Sequence, residues 1–119
     1  MSETCSLPTG AVRIVFANCP NVEVAESIAR RLIETRLAAC VNVLAPCTSF
    51  YEWQGESCAE VEVPLLIKTT AACYPALETL LRELHPYELP EILAVDIASG
   101  LPAYLAWATG QTTAPRTAP

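Results

Sequence analysis

Basic residues are scarce in this chain: seven lysines and arginines stand against thirteen acidic residues, for a formal charge of -6, and no basic run occurs anywhere. A nucleic-acid backbone is held through clustered cations, so that partner is excluded, and an anionic membrane surface is disfavoured on the same ground. The chain has no glycine-rich phosphate loop, no GxSxG elbow and no HExxH pair. A Cys19/His85 nucleophile and base would be the one hydrolytic candidate, and the expectation is a protein that is not an enzyme. The first ten residues lack a basic start followed by an apolar stretch, and no run of ~18 apolar residues appears later, which leaves a cytoplasmic protein as the expectation. Six cysteines are present without a CxxC spacing, and in a reducing compartment they read as small packing residues rather than a disulfide frame.

With 119 residues and a hydrophobic fraction of 52%, the chain suits one domain with a real core. Residues 1–10 read as a flexible arm, 11–109 as the folded unit, and 110–119, with Gly110, Pro115 and Pro119, as a flexible tail. Residues 12–17 form an apolar run of high strand propensity, closed by Asn18, Cys19, Pro20 and Asn21. From Val22 to Arg36, Ala25, Ile28, Ala29, Leu32 and Ile33 recur at helical spacing opposite a charged face, and Asn21 is placed to cap the first amides. Two strand-like runs, 40–53 and 57–69, turn at Gln54-Gly55-Glu56, with Pro46 and Pro64 expected to bend each arm. A second helix is expected over 71–84 with Thr70 as its cap and Pro86 as its stop, a last strand over 92–98, and a short helix over 102–107.

Strand, helix, strand, strand, helix, strand and a helical tail make an α+β, ferredoxin-like βαββαβ order: an antiparallel sheet with two helices on one face. The two long runs would each stretch ~40 Å at ~3.3 Å per residue, while the helices beside them span only ~20 to 24 Å at ~1.5 Å per residue. Apolar strand surface is therefore left without a cover inside one chain, and it carries Phe50, Tyr51 and Trp53. An oligomer that buries these aromatics, with a ligand cleft between subunits, is the expectation.

Several segments resemble the CutA family of divalent-cation tolerance proteins: Cys19-Pro20-Asn21, LAACVN at 37–42, YEWQG at 51–55, LIKTT at 66–70, HPYELPE at 85–91 and YLAW at 104–107. The resemblance covers roughly residues 12–108. It implies a PII-like trimer with hairpins exchanged between subunits, and a protein linked to copper and other divalent cations.

His85, the single histidine, and Cys19, read as lying at the start of the first helix where the dipole favours thiolate, are the candidate copper ligands, with Glu91 as an added oxygen donor. The resemblance also shows a departure, because the cysteine proposed to bind copper in some members falls at Ala17 here, and the paired histidines of others are Leu84-His85. A helix cap plus a packed histidine is the alternative to a metal site. Glu62, Tyr87 and Lys68 are expected at the cleft, with Lys68, the only lysine, paired to Glu62 or Glu91. The implied function is a copper-binding homotrimer for cation tolerance. The other reading is a PII-like sensor that takes a small organic ligand or a partner protein.

Overall fold

The computed structural model describes residues 11–115, so the expected N-terminal arm and the last four residues of the expected tail lie outside the described residues. Strand β1 is Val12–Cys19, helix α1 Val22–Glu34, β2 Cys40–Val43, β3 Cys47–Trp53, β4 Glu56–Thr70, helix α2 Tyr74–Leu84, β5 Leu93–Asp96 and helix α3 Pro102–Gln111. Every strand pair is antiparallel, and the order is β2-β4-β1-β5 with β3 also on β4. This is the ferredoxin-like arrangement, with its second strand cut in two.

Proline explains the cut, though not in the way the sequence suggests. Leu44, Ala45 and Pro46 separate β2 from β3, whereas β4 runs unbroken through Pro64. In an antiparallel strand the N–H and C=O of one residue point to the same side. The carbonyl of Pro64 accepts from the Leu44 amide at 2.9 Å, so the missing N–H faces the gap between β2 and β3 and costs the β1–β4 ladder nothing. At the hairpin tip Gln54 and Gly55 both take positive φ, 52° and 81°, as a two-residue turn between right-twisted strands requires.

The core lies between one sheet face and the helices. Val15, Ala17 and Cys19 of β1 alternate inward with Val63, Leu65 and Ile67 of β4, against Ala25, Ile28 and Leu32 of α1 and Leu77 and Leu81 of α2. Each large aliphatic side chain buried here is worth roughly 1.5 to 3 kcal/mol relative to exposure. The capping side chain of Asn21 accepts from the Val24 amide at 2.8 Å. Helix α2 begins three residues later than expected, at Tyr74, because Thr70–Cys73 form a turn in which Thr70 Oγ1 accepts from the Cys73 amide at 3.2 Å. It stops at His85, whose extended backbone is what a residue before proline adopts.

Helix α3 outlasts its expected end at Trp107 by four residues, so the segment read as a tail starts inside it. The Thr113 amide then donates to the Arg36 carbonyl at 2.8 Å, which ties the end of the described chain to the turn after α1. Among the described residues no helix is long and apolar enough to cross a membrane.

The opposite sheet face is different. Register places Phe16 beside Leu66 and Leu93, and Ile14 beside Lys68 and Val95. Phe16 remains 36% exposed and Leu93 60%, while Leu101 before α3 and Tyr104 and Trp107 within it are exposed as well. A large apolar surface therefore stays open in one chain.

Candidate functional site

The site is built where β1 ends, where the ribbon of β3 and β4 begins, and where α2 gives way to the loop 85–91. Pro86 holds that loop extended, and His85 anchors it from a position only 6% exposed. His85 Nε2–H donates to the Asn18 carbonyl at 2.6 Å, while Nδ1 accepts from the Tyr87 amide at 3.2 Å, so both ring nitrogens are engaged with backbone. The Tyr87 ring lies against the imidazole with centroids 4.7 Å apart. Its hydroxyl donates to Glu62 Oε2 at 3.0 Å. Asn18 Nδ2 in turn donates to Glu91 Oε1 at 3.1 Å. The loop is thus held to β1 and β4 by one connected set of bonds.

Burial raises the Tyr87 phenol above its ordinary range, with the hydrogen bond to Glu62 and that carboxylate's charge adding to it. Burial, and behind it Glu62, pushes the Cys19 thiol up from 9.0 to about 11. A cavity of about 580 Å³ opens between the hairpin and the loop, lined by Asn18, Tyr51, Trp53, Glu60, Glu62, Tyr87, Glu88, Leu89, Pro90 and Glu91. Register explains the hairpin's share: Tyr51 pairs with Cys58 and Trp53 with Glu56, so Tyr51 and Trp53 share a face with Glu60 and Glu62. Four carboxylates and three aromatic rings meet there, with no basic side chain in the lining.

Glu62, Tyr87 and Glu91 reach this cavity together, as do Tyr51 and Trp53, which were expected only at an interface. Phe50 falls on the other face of the hairpin and is 79% exposed. Cys19 and His85 are outside the lining. Cys19 closes β1 rather than opening α1, and its place in the inward alternation puts desolvation above the helix dipole, so the thiol form is favoured where thiolate was expected. His85 has both ring nitrogens engaged. Among the described residues no three His, Cys, Asp or Glu side chains converge to hold an ion.

Lys68 is a correction as well. Six residues along β4 separate it from Glu62, ~20 Å at ~3.3 Å per residue, and it bonds to Asn42 on the open sheet face, with Cys40 Sγ at 4.0 Å. Neither carboxylate meets it. Sequence reasoning missed Asn18, Glu60 and Glu88. Glu60 was legible, since it alternates with Glu62 onto the face that carries the aromatics, but Asn18 had been spent as a turn residue. The cysteines among the described residues divide: Cys19 and Cys73 are buried packing residues, while Cys47 is exposed and Cys40 and Cys58 are half-buried, these five with free thiols.

A test follows from Cys19. A thiol whose folded pKa lies above its unfolded value of 9.0 gives stability that is complete below pH 9 and lost as pH rises through about 11. The thermal midpoint of the reduced protein is expected to fall across that window, and to fall less in Cys19→Ala. Equal declines in the two proteins would assign the loss to other groups.

Residues 13–111 match the family model described as CutA1 divalent ion tolerance protein. The chain is 48% identical over 94 residues to the divalent-cation tolerance protein CutA of Thermus thermophilus, covering 79% of this chain and 91% of that one. It is 46% identical over 98 residues to mouse protein CutA, covering 82% of this chain and 55% of the relative, so it spans about half the length of the mammalian proteins it matches. Among solved structures, the divalent cation tolerance protein of T. thermophilus superposes with a TM-score of 0.84 at 45% identity, covering 86% of this chain and 99% of that one. The PII-like protein CutA of Nostoc, in apo form, gives 0.81 at 38%, covering 87% and 99%.

Proposed function

This chain belongs to the CutA1 family of divalent ion tolerance proteins, and from that premise we propose that it acts as a homotrimer that takes a divalent cation, copper included, at the acidic pocket between hairpin and loop. The observation that carries this reading is the lining itself: Glu60, Glu62, Glu88 and Glu91 around one cavity, with no basic side chain among them. Such a field attracts a cation, and carboxylate oxygens suit hard and borderline ions. The expected pair of Cys19 and His85 fits a metal poorly, because the thiol is held protonated in the core and the imidazole has no free lone pair. Ligation is therefore assigned to the carboxylates, with Glu91 kept from the expected set. Among the described residues of one chain the donors do not converge, and a neighbouring subunit closing over the hairpin would complete them. The open sheet face and the exposed side chains of α3 support assembly; the number three comes from the family resemblance.

Calorimetry on reduced, tag-free protein with Cu(II) and Zn(II) tests the assignment. Glu62→Gln with Glu91→Gln is expected to weaken binding by at least the ~10- to 100-fold that loss of a supporting group costs a metal site, while Cys19→Ser with His85→Ala leaves the heats nearly unchanged. The reverse pattern would move the site to Cys19 and His85.

A further inference from the structure

We infer that the same pocket binds an organic ammonium ion, an alkylamine or a quaternary ammonium group, between its aromatic wall and its carboxylates; this rests on the pocket being a cation site. Trp53 and Tyr51 of β3 share a face with Glu60 and Glu62 of β4, and Tyr87 comes from the loop on the other side. A cation over an aromatic face is held by the ring quadrupole within ~6 Å of its centroid, most strongly by tryptophan. A carboxylate nearby supplies the countercharge.

Three features of the pocket favour this ligand class. A metal ion requires several donors gathered at ~2.0 to 2.6 Å, and among the described residues no such group exists. An alkylammonium asks less: a negative potential and aromatic surface at van der Waals distance, both of which are in place. The volume of about 580 Å³ lies within the ~300 to 1,000 Å³ of small-molecule sites and far exceeds what a bare ion fills. Glu62 is the third feature. It is 7% exposed, Tyr87 holds one of its oxygens, and the other receives no hydrogen bond among the described residues. The ion pairs found there join Arg13 to Asp96 and Arg30 to Glu26, both away from the pocket. That second oxygen opens on the cavity, since no buried side-chain oxygen among the described residues lacks a partner, and an ammonium group there would meet a carboxylate that no basic side chain of the chain has claimed. The lining that one chain supplies offers a phosphate or a carboxylate no basic partner.

The probes are tetramethylammonium chloride and butylamine, titrated into the reduced full-length chain, with sodium chloride at equal ionic strength and tert-butanol as the uncharged control. In a Trp107→Phe background Trp53 is the only tryptophan and reports occupancy by fluorescence, with calorimetry as the second readout. Saturable binding of both ammonium probes and of neither control is expected. Trp53→Leu, read by calorimetry, should weaken ammonium binding about tenfold and by a larger factor than it weakens Cu(II) binding, whereas Glu62→Gln should weaken both. Cu(II) binding that depends on the carboxylates, without saturable ammonium binding, overturns this inference and leaves the metal reading intact. Absence of both removes the cation site altogether. Ammonium binding indifferent to Trp53→Leu overturns the aromatic assignment.

Discussion

Replacing Phe16 and Leu93 together by Asp is expected to convert the proposed homotrimer to a folded single chain, visible in sedimentation velocity as a fall from three-chain to one-chain mass. The two residues are register partners on the sheet face opposite the main core, and both stay exposed in one chain. Leu93 is mostly exposed in the lone subunit and an aspartate there costs it little, while Phe16, 36% exposed, gives up part of its burial. In the assembly each would be an unpaired buried charge, at several kcal/mol per ion, repeated in every subunit. Wild type and variant should differ at micromolar concentration by the full change in mass. A variant that still sediments as three chains would show that this face is not the contact, and would return the assembly to the hairpin and α3.

Truncating Leu81 to Ala is expected to cost roughly 2 to 5 kcal/mol of stability, the range for emptying a well-packed aliphatic site. Leu81 is fully buried in the layer between α2 and the sheet, and its carbonyl accepts the His85 amide at 3.0 Å. The loss therefore falls at the turn of helix that seats the imidazole and, through it, Tyr87. Urea denaturation at matched protein concentration reads the effect, because assembly adds to apparent stability by mass action. Arg82→Ala, on the exposed side of the same turn, is expected to stay within about 0.5 kcal/mol of wild type. Equal costs at the two positions would place α2 differently.

Local chemistry carried much of the fold. Asn21 before an amphipathic run, Gln54-Gly55 between β-prone segments and Pro86 behind a leucine-rich helix each act within a few residues, and each does in the structure what its type dictates. Reading failed where the outcome depends on which neighbour a backbone group faces. Pro64 sits mid-strand because its missing donor points into a gap that pairing with β2 and β3 creates. Cys19 became a core residue through the alternation of β1, two residues before the cap that was read correctly. Lys68 found Asn42 through the β2–β4 register, which no spacing along the chain reveals. The pocket was half legible: Tyr87 and Glu91 lie in HPYELPE and Glu62 was expected at the cleft as a strand carboxylate, while the service of Asn18 to both His85 and Glu91 emerges only after 67 and 73 residues of chain are folded back.

Strand β4 works as a beam with two jobs. From Val63 onward β1 flanks it, and β2 joins on the other side from Leu65; from Glu56 to Glu62 it has β3 alone. A two-stranded ribbon is marginal by itself in water, and this one carries Glu60, Glu62, Tyr51 and Trp53, whereas Asn18, Tyr87 and Glu91 ride on the rigid body of the domain. The mouth of the pocket is thus a jaw with one fixed and one compliant side. Whatever grips the ribbon sets the gape, so in the proposed trimer occupancy of the pocket and adhesion between copies would be thermodynamically linked, each strengthening the other by the same factor.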